Sequence, residues 1–168
     1  IGAAALYSNT TRSNLVAIGD SALYHNGEGA TNTWEAIHNT ATGSKALYSN
    51  TTGFENTASG SDALYYNVSG NYNTATGVQS LHANNGNNNT ATGYFAMYTN
   101  VDGEKNTAMG INTLSYNMKG SNNVAFGAYS NGKNTSGVSQ PYDSIFNNAL
   151  FGAYSGYSLT TKGDNNTL

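Results

Sequence analysis

The phrase Asn-Thr-Ala-x-Gly begins at Asn39, Asn56, Asn73, Asn89 and Asn106, at spacings of 17, 17, 16 and 17 residues, and a variant, Asn-Val-Ala-Phe-Gly, follows 17 residues later at Asn123. Self-similarity at a short fixed period means stacked structural units rather than a globule around one central site. Function is therefore expected along a regular surface and not in a catalytic pocket.

One unit, residues 39–55, shows how the chain turns. A short strand is expected over about Thr40 to Thr42, and Gly43 breaks it with the positive φ that a tight turn needs. A second strand is expected over about Ala46 to Tyr48, followed by the turn Asn50-Thr51-Thr52-Gly53. Two strands and two turns describe one coil of a β-solenoid, or β-roll. At ~4.8 Å between neighbouring strands, about nine to ten coils give a rod of about 45 Å. A helical repeat is disfavoured, because each unit holds two Gly with several Asn and Thr.

Stacking aligns equivalent residues into columns. Val16, Thr40, Thr57, Thr74, Thr90, Thr107 and Val124 form one, and Ile18, Thr42, Ser59, Thr76, Thr92, Met109 and Phe126 form its partner two residues on. Exchange of Thr with large apolar residues suggests an enclosed face. Between them Ala17, Ala41, Ala58, Ala75, Ala91, Ala108 and Ala125 never vary. An invariant small residue suggests close approach of a partner chain's backbone, so these alanines are read as trimer packing. Leu23, Leu47, Leu64, Leu81, Met97 and Leu114 read as the roll's own core. Next to them Tyr7, Tyr24, Tyr48, Tyr65, His82 and Tyr98 run along the opposite face, as receptor contacts if exposed or as packing against a neighbouring chain. Two Asn columns, one from Asn39 to Asn123 and one from Asn9 to Asn117, are expected to hydrogen-bond along the rod and satisfy turn backbone groups.

Composition narrows the function classes. Only 9% of residues are charged, against roughly 25% in ordinary soluble domains. The 27 Asn, 20 Thr and 17 Ser accompany 38% apolar residues at recurring positions, so the polar residues read as turn and ladder residues of an ordered repeat. A net charge of -3 without a basic stripe argues against nucleic acid. No apolar run approaches the ~20 residues of a membrane span. There is no Cys for a disulfide or thiolate site and no metal-binding His spacing, and no cofactor is expected. Glu28 and Glu35 are the one close acidic pair off the repeat; a glycosidase role for them is set aside, and the chain is read as no enzyme.

The repeat breaks twice. Asn14 to Asn39 and Asn123 to Asn148 each span 25 residues, which places inserted loops near 27–38 and 132–146. Inserted loops often carry binding. Trp34 in the first and Tyr142, beside Pro141, in the second are candidate receptor contacts along with Tyr24, Tyr48, Tyr65 and Tyr98; for Trp34 the favoured alternative is that it covers a roll edge. Residues 1–122 form the regular roll and 123–168 its divergent continuation. Leu150 stands where Ala had been constant, which suggests that close packing loosens there, toward a neck. Both ends fall inside a unit, so the chain is expected to be a piece of a longer protein.

These units resemble the YadA-like head repeats of trimeric autotransporter adhesins, whose motif reads roughly Asn-Ser-Val-Ala-Ile-Gly; Asn14-Leu15-Val16-Ala17-Ile18-Gly19 and Asn123-Val124-Ala125-Phe126-Gly127 come closest. The longer unit, with Ala-Leu-Tyr and Asn-Thr-Thr-Gly, is similar to variants in bacterial surface proteins and phage tail fibres. The resemblance implies a left-handed parallel β-roll, a homotrimer around one axis, and an extracellular role binding a receptor protein or glycan from the bacterial cell surface. It departs from the family in its 17-residue period, nearer 14 in the family, and in its Thr-rich central units. A phage tail-fibre segment is one alternative; an ice-binding solenoid, suggested by the Thr-x-Thr rows, is another.

Overall fold

The computed structural model describes residues 1–131, 145–157 and Thr167. Among these there is no helix. Eight three-residue strands stack in parallel: β1 (Val16–Ile18), β2 (Thr40–Thr42), β3 (Thr57–Ser59), β4 (Thr74–Thr76), β6 (Thr90–Thr92), β8 (Thr107–Met109), β9 (Val124–Phe126) and β10 (Ala149–Phe151). Two shorter strands, β5 (Ala83–Asn84) and β7 (Thr99–Asn100), pair elsewhere on the coil. Each strand pairs with the equivalent strand of the next coil without slippage: Thr57 faces Thr74, Ala58 faces Ala75 and Ser59 faces Thr76. The chain is a parallel β-solenoid, eight stacked strands extending about 34 Å along the rod. Thr167 adds an isolated parallel bridge to Ala149.

The core is a thin string. The Leu column, Leu23 to Leu114 with Met97, is fully buried within the single chain. So is the Ala column, with Ala17 nearly so, and both belong to one apolar cluster. The alanines therefore point into their own roll and not toward a partner. They are small because one coil encloses room for little more than a methyl opposite each Leu, and no second backbone is needed to explain them. A third buried column, Ala22, Ala46, Ala63, Ser80, Ala96, Thr113 and Ser130, completes the interior. Leu150 lies in register with Ala125 and is fully buried, so the roll continues through it instead of loosening.

Because Ala points inward, its neighbours on the strand must point outward. The two Thr-rich columns, expected to be enclosed, instead line an outer sheet face open in the single chain. Val16 and Ile18 are each 45% exposed and Phe151 56%.

The second expected strand also differs. Around Ala46 to Tyr48 the chain makes a sharp corner, with Lys45 at φ 55° and Leu47 at φ 52°. The same left-handed conformation recurs at Leu23, Leu64, Leu81, Met97 and Leu114. Left-handed backbone at a non-Gly residue costs of order 1–3 kcal/mol, and it persists where the surroundings over-determine it. Here the Leu side chain is buried, and the corner keeps parallel pairing along the rod: Leu47 N donates to Ala63 O at 2.9 Å, and Ser49 N to Tyr65 O at 3.0 Å.

Apart from the half-buried Asn9, the two Asn columns are buried and hydrogen-bonded to one another and to turn carbonyls. Asn56 Nδ2 donates to Gly70 O at 2.8 Å, and Asn67 Nδ2 donates to Gly70 O at 3.0 Å and to Asn50 Oδ1 at 3.0 Å. A buried amide costs little when every group is paired.

Candidate functional site

The corner after Leu aims the next side chain outward, and stacking superimposes these side chains coil upon coil. Tyr7, Tyr24, Tyr48, Tyr65, His82 and Tyr98 form a continuous ring ladder, with successive centroids 4.8, 5.2, 5.0, 5.4 and 4.8 Å apart and interplanar angles of 9, 23, 8, 15 and 12°. Tyr7 is 70% exposed and the others are half-buried. Their faces lie against one another, so the ladder offers a partner ring edges and hydroxyls along its length. Desolvation raises the pKa of Tyr65 first, with Tyr66, Tyr48 and Asp62 adding to it. It lowers that of His82, against an opposing pull from Asp62.

The first inserted loop lies on another corner. Trp34 is exposed and meets Phe54 edge to face, centroids 5.5 Å apart at 81°. Phe54 in turn meets Tyr72 at 5.1 Å and 79°. Trp34 thus stands partly on a neighbouring coil and partly in solvent. The structure keeps it well apart in kind from the tyrosine ladder: one site is a row of edges, the other a small cluster. Phe54 and Tyr72 were not among the expected contacts. Neither belongs to a repeated aromatic column, and the loop that brings Trp34 to them leaves no periodic signal. Tyr142 and Pro141 lie outside the described residues.

Loop polar groups are engaged locally. Glu35 accepts from Thr31 N at 2.7 Å and Asn32 N at 2.9 Å, and hydrogen bonds from Asn32 hold its carboxyl below the usual carboxylate range. Glu28 pairs with His25 at 2.6 Å. The two carboxylates therefore serve separate contacts. Below Phe54 a polar row follows the rod: Asn71 Oδ1 accepts from Phe54 N at 3.0 Å, Asn87 Oδ1 from Asn71 N at 2.8 Å, and Asn87 Nδ2 donates to Glu104 Oε1 at 2.9 Å. Among the described residues no three His, Cys, Asp or Glu converge on a metal-sized site, and no helix is long and apolar enough to cross a membrane.

These features define a repeat protein of the β-solenoid class. No protein-family model, curated protein or solved structure matches the chain.

Proposed function

We propose that the chain is an adhesive segment of an extracellular fibre, in which three copies associate around one axis and present loops and corners to a receptor protein or glycan. One observation carries this reading: the outer face of the eight-stranded sheet has large apolar residues at both ends, Val16 and Ile18 at one and Met109 and Phe151 at the other, all exposed in the single chain. Exposed apolar residues on a flat face favour association, and identical chains meet most economically through symmetric contacts. The columns that would pack between chains are the Thr-rich pair and not the alanines. The role is one of binding and support rather than catalysis, in keeping with the separate local contacts of Glu28 and Glu35.

Beads coated with the intact chain test adhesion. Retention on animal matrix proteins supports a cell-surface adhesin. Retention confined to bacterial envelopes supports the phage-fibre alternative, which shares every feature of the rod. Beads that pass both surfaces freely contradict the adhesive reading.

Ice binding is favoured by a different observation. Thr42, Thr57, Thr74, Thr76 and Thr90 all stand exposed on parallel strands in strict register. Such rows present hydroxyls and methyls at about 4.8 Å across strands and about 6.6 Å along them. Thermal hysteresis in a solution of the chain would establish this reading; freezing without hysteresis removes it.

A further inference from the structure

The cluster at Trp34 has features that the tyrosine ladder lacks. Trp34 is 55% exposed and Tyr72 49%, and Phe54 between them meets both rings edge to face. Within the ladder, past the exposed end ring Tyr7, the ring faces are covered by neighbouring members, whereas this cluster leaves aromatic surface open.

The base under Trp34 is rigid. Arg12 crosses beneath the loop, donating from Nη1 to Asn32 O and from Nη2 to Ala30 O, both at 2.9 Å. Its stem lies against Gly27, where an added Cβ would come within 2.8 Å of Arg12 Cγ. Glu35 ties the other side of the loop through Thr31 and Asn32, and Ala36 N donates to Thr52 O at 3.1 Å on the next coil. A loop backbone held this way loses little further freedom when a ligand binds beside it.

Polar groups lie next to the aromatic surface. Glu55 follows Phe54 in sequence and is exposed, and the row Asn71, Asn87 and Glu104 runs from Phe54 along the rod. A pyranose ring has this same division: its C–H faces pack on aromatic rings, and its hydroxyls project sideways to amides and carboxylates. The charged groups next to the rings in sequence, Glu35 and Glu55, are carboxylates, and the terminal nitrogens of Arg12 are occupied by loop carbonyls; the exposed Lys105 stands two coils beyond Tyr72, beside Glu104 at the far end of the row. An acidic sugar seated on the rings themselves would meet carboxylates rather than a cation.

We infer that Trp34, Phe54 and Tyr72 form a binding platform for a neutral saccharide, with successive sugar units following the Asn71–Asn87–Glu104 row. This rests on the adhesive reading and names one ligand class and one site for it.

The test uses the intact chain, fluorescently labelled, on an array of neutral and acidic glycans, beside Trp34→Ala and Tyr116→Ala, the latter an exposed tyrosine outside both the ladder and the cluster. Circular dichroism checks that each variant keeps the rod. Trp34 is the sole tryptophan, so its emission reports directly on any glycan retained. The expected result is retention of neutral glycans, a saturable change in Trp34 emission, and a loss of about tenfold or more in affinity for Trp34→Ala with little change for Tyr116→Ala. Glycan binding that survives Trp34→Ala, or that is confined to acidic glycans, overturns the platform while leaving the adhesive reading in place. Absence of all glycan retention also overturns it, and retention of coated beads on matrix protein then still decides the adhesive reading separately.

Discussion

The side-chain oxygen of Asn73 accepts the backbone N–H of Asn89, one coil further along the rod, at 2.9 Å. The same bond joins Asn39 to Asn56, Asn56 to Asn73, Asn89 to Asn106 and Asn106 to Asn123. Each coil therefore fixes the entry of the next strand. Asn73→Ala would leave the buried Asn89 N–H unpaired and remove one of two donors to the Gly86 carbonyl, which Asn73 Nδ2 and Asn84 Nδ2 each reach at 2.9 Å. At about 1–3 kcal/mol for one unsatisfied buried group, the expected loss is about 1–3 kcal/mol in chemical denaturation. A loss below about 1 kcal/mol would show that the ladder is dispensable.

Gly60 takes φ 141°, and a Cβ built there would lie 2.5 Å from Gly77 O. Neither backbone can move without disturbing the stack. Gly60→Ala should cost about 3 kcal/mol or more, combining overlap with backbone strain. Gly29 offers the contrast: its φ is 73°, but nothing lies within 4 Å of the built Cβ. Gly29→Ala should cost about 1 kcal/mol, the conformational part alone. Equal shifts in melting temperature for the two variants would refute the stacking argument.

The inward alanines give a test of their own. Ala75 is fully buried in the single chain, so Ala75→Leu overfills one coil and should cost about 1–3 kcal/mol. That loss should not depend on protein concentration. A loss that appears only where chains associate would restore the reading in which alanine meets a partner.

His82 replaces tyrosine in the ring ladder, between Tyr65 at 5.4 Å and Tyr98 at 4.8 Å. Burial holds its pKa below the usual histidine value, with Asp62 opposing. The folded chain thus binds this proton less readily than the unfolded chain does. Its contribution to stability is complete above about pH 6.5 and is lost as pH falls from there through the lower folded value. His82→Tyr restores an unbroken tyrosine row and should flatten the decline in melting temperature below about pH 6.5. An unchanged slope would mean that His82 does not contribute to it.

The period, the Leu core and the Asn ladders were legible because identity at one position, repeated coil after coil, reports a shared environment. At Ala75 and Thr74 the sequence points the wrong way for a related reason. Invariant Ala shows only that space is small, and space inside one narrow coil looks the same in sequence as space between chains. Exchange of Thr107 for Val124 and Thr92 for Met109 looked like burial, yet these side chains face outward on a surface that tolerates either character. The left-handed corner at Leu47 left no trace, since leucine has no local preference for that conformation and adopts it because the coil requires it. The column through Ala63, Ser80 and Thr113 leaves a weak signal because it mixes polar and apolar residues of similar size. The contact of Trp34 with Phe54 depends on the path of an inserted loop, which periodicity cannot report.

The association of chains through the outer sheet face is tested most directly by the solution mass of the intact chain, measured by light scattering. Association into a trimer predicts a mass near three times 17.5 kDa, falling toward the monomer when Ile18 and Phe151 are both changed to Lys. A mass of 17.5 kDa at all concentrations, with the rod folded, would contradict it.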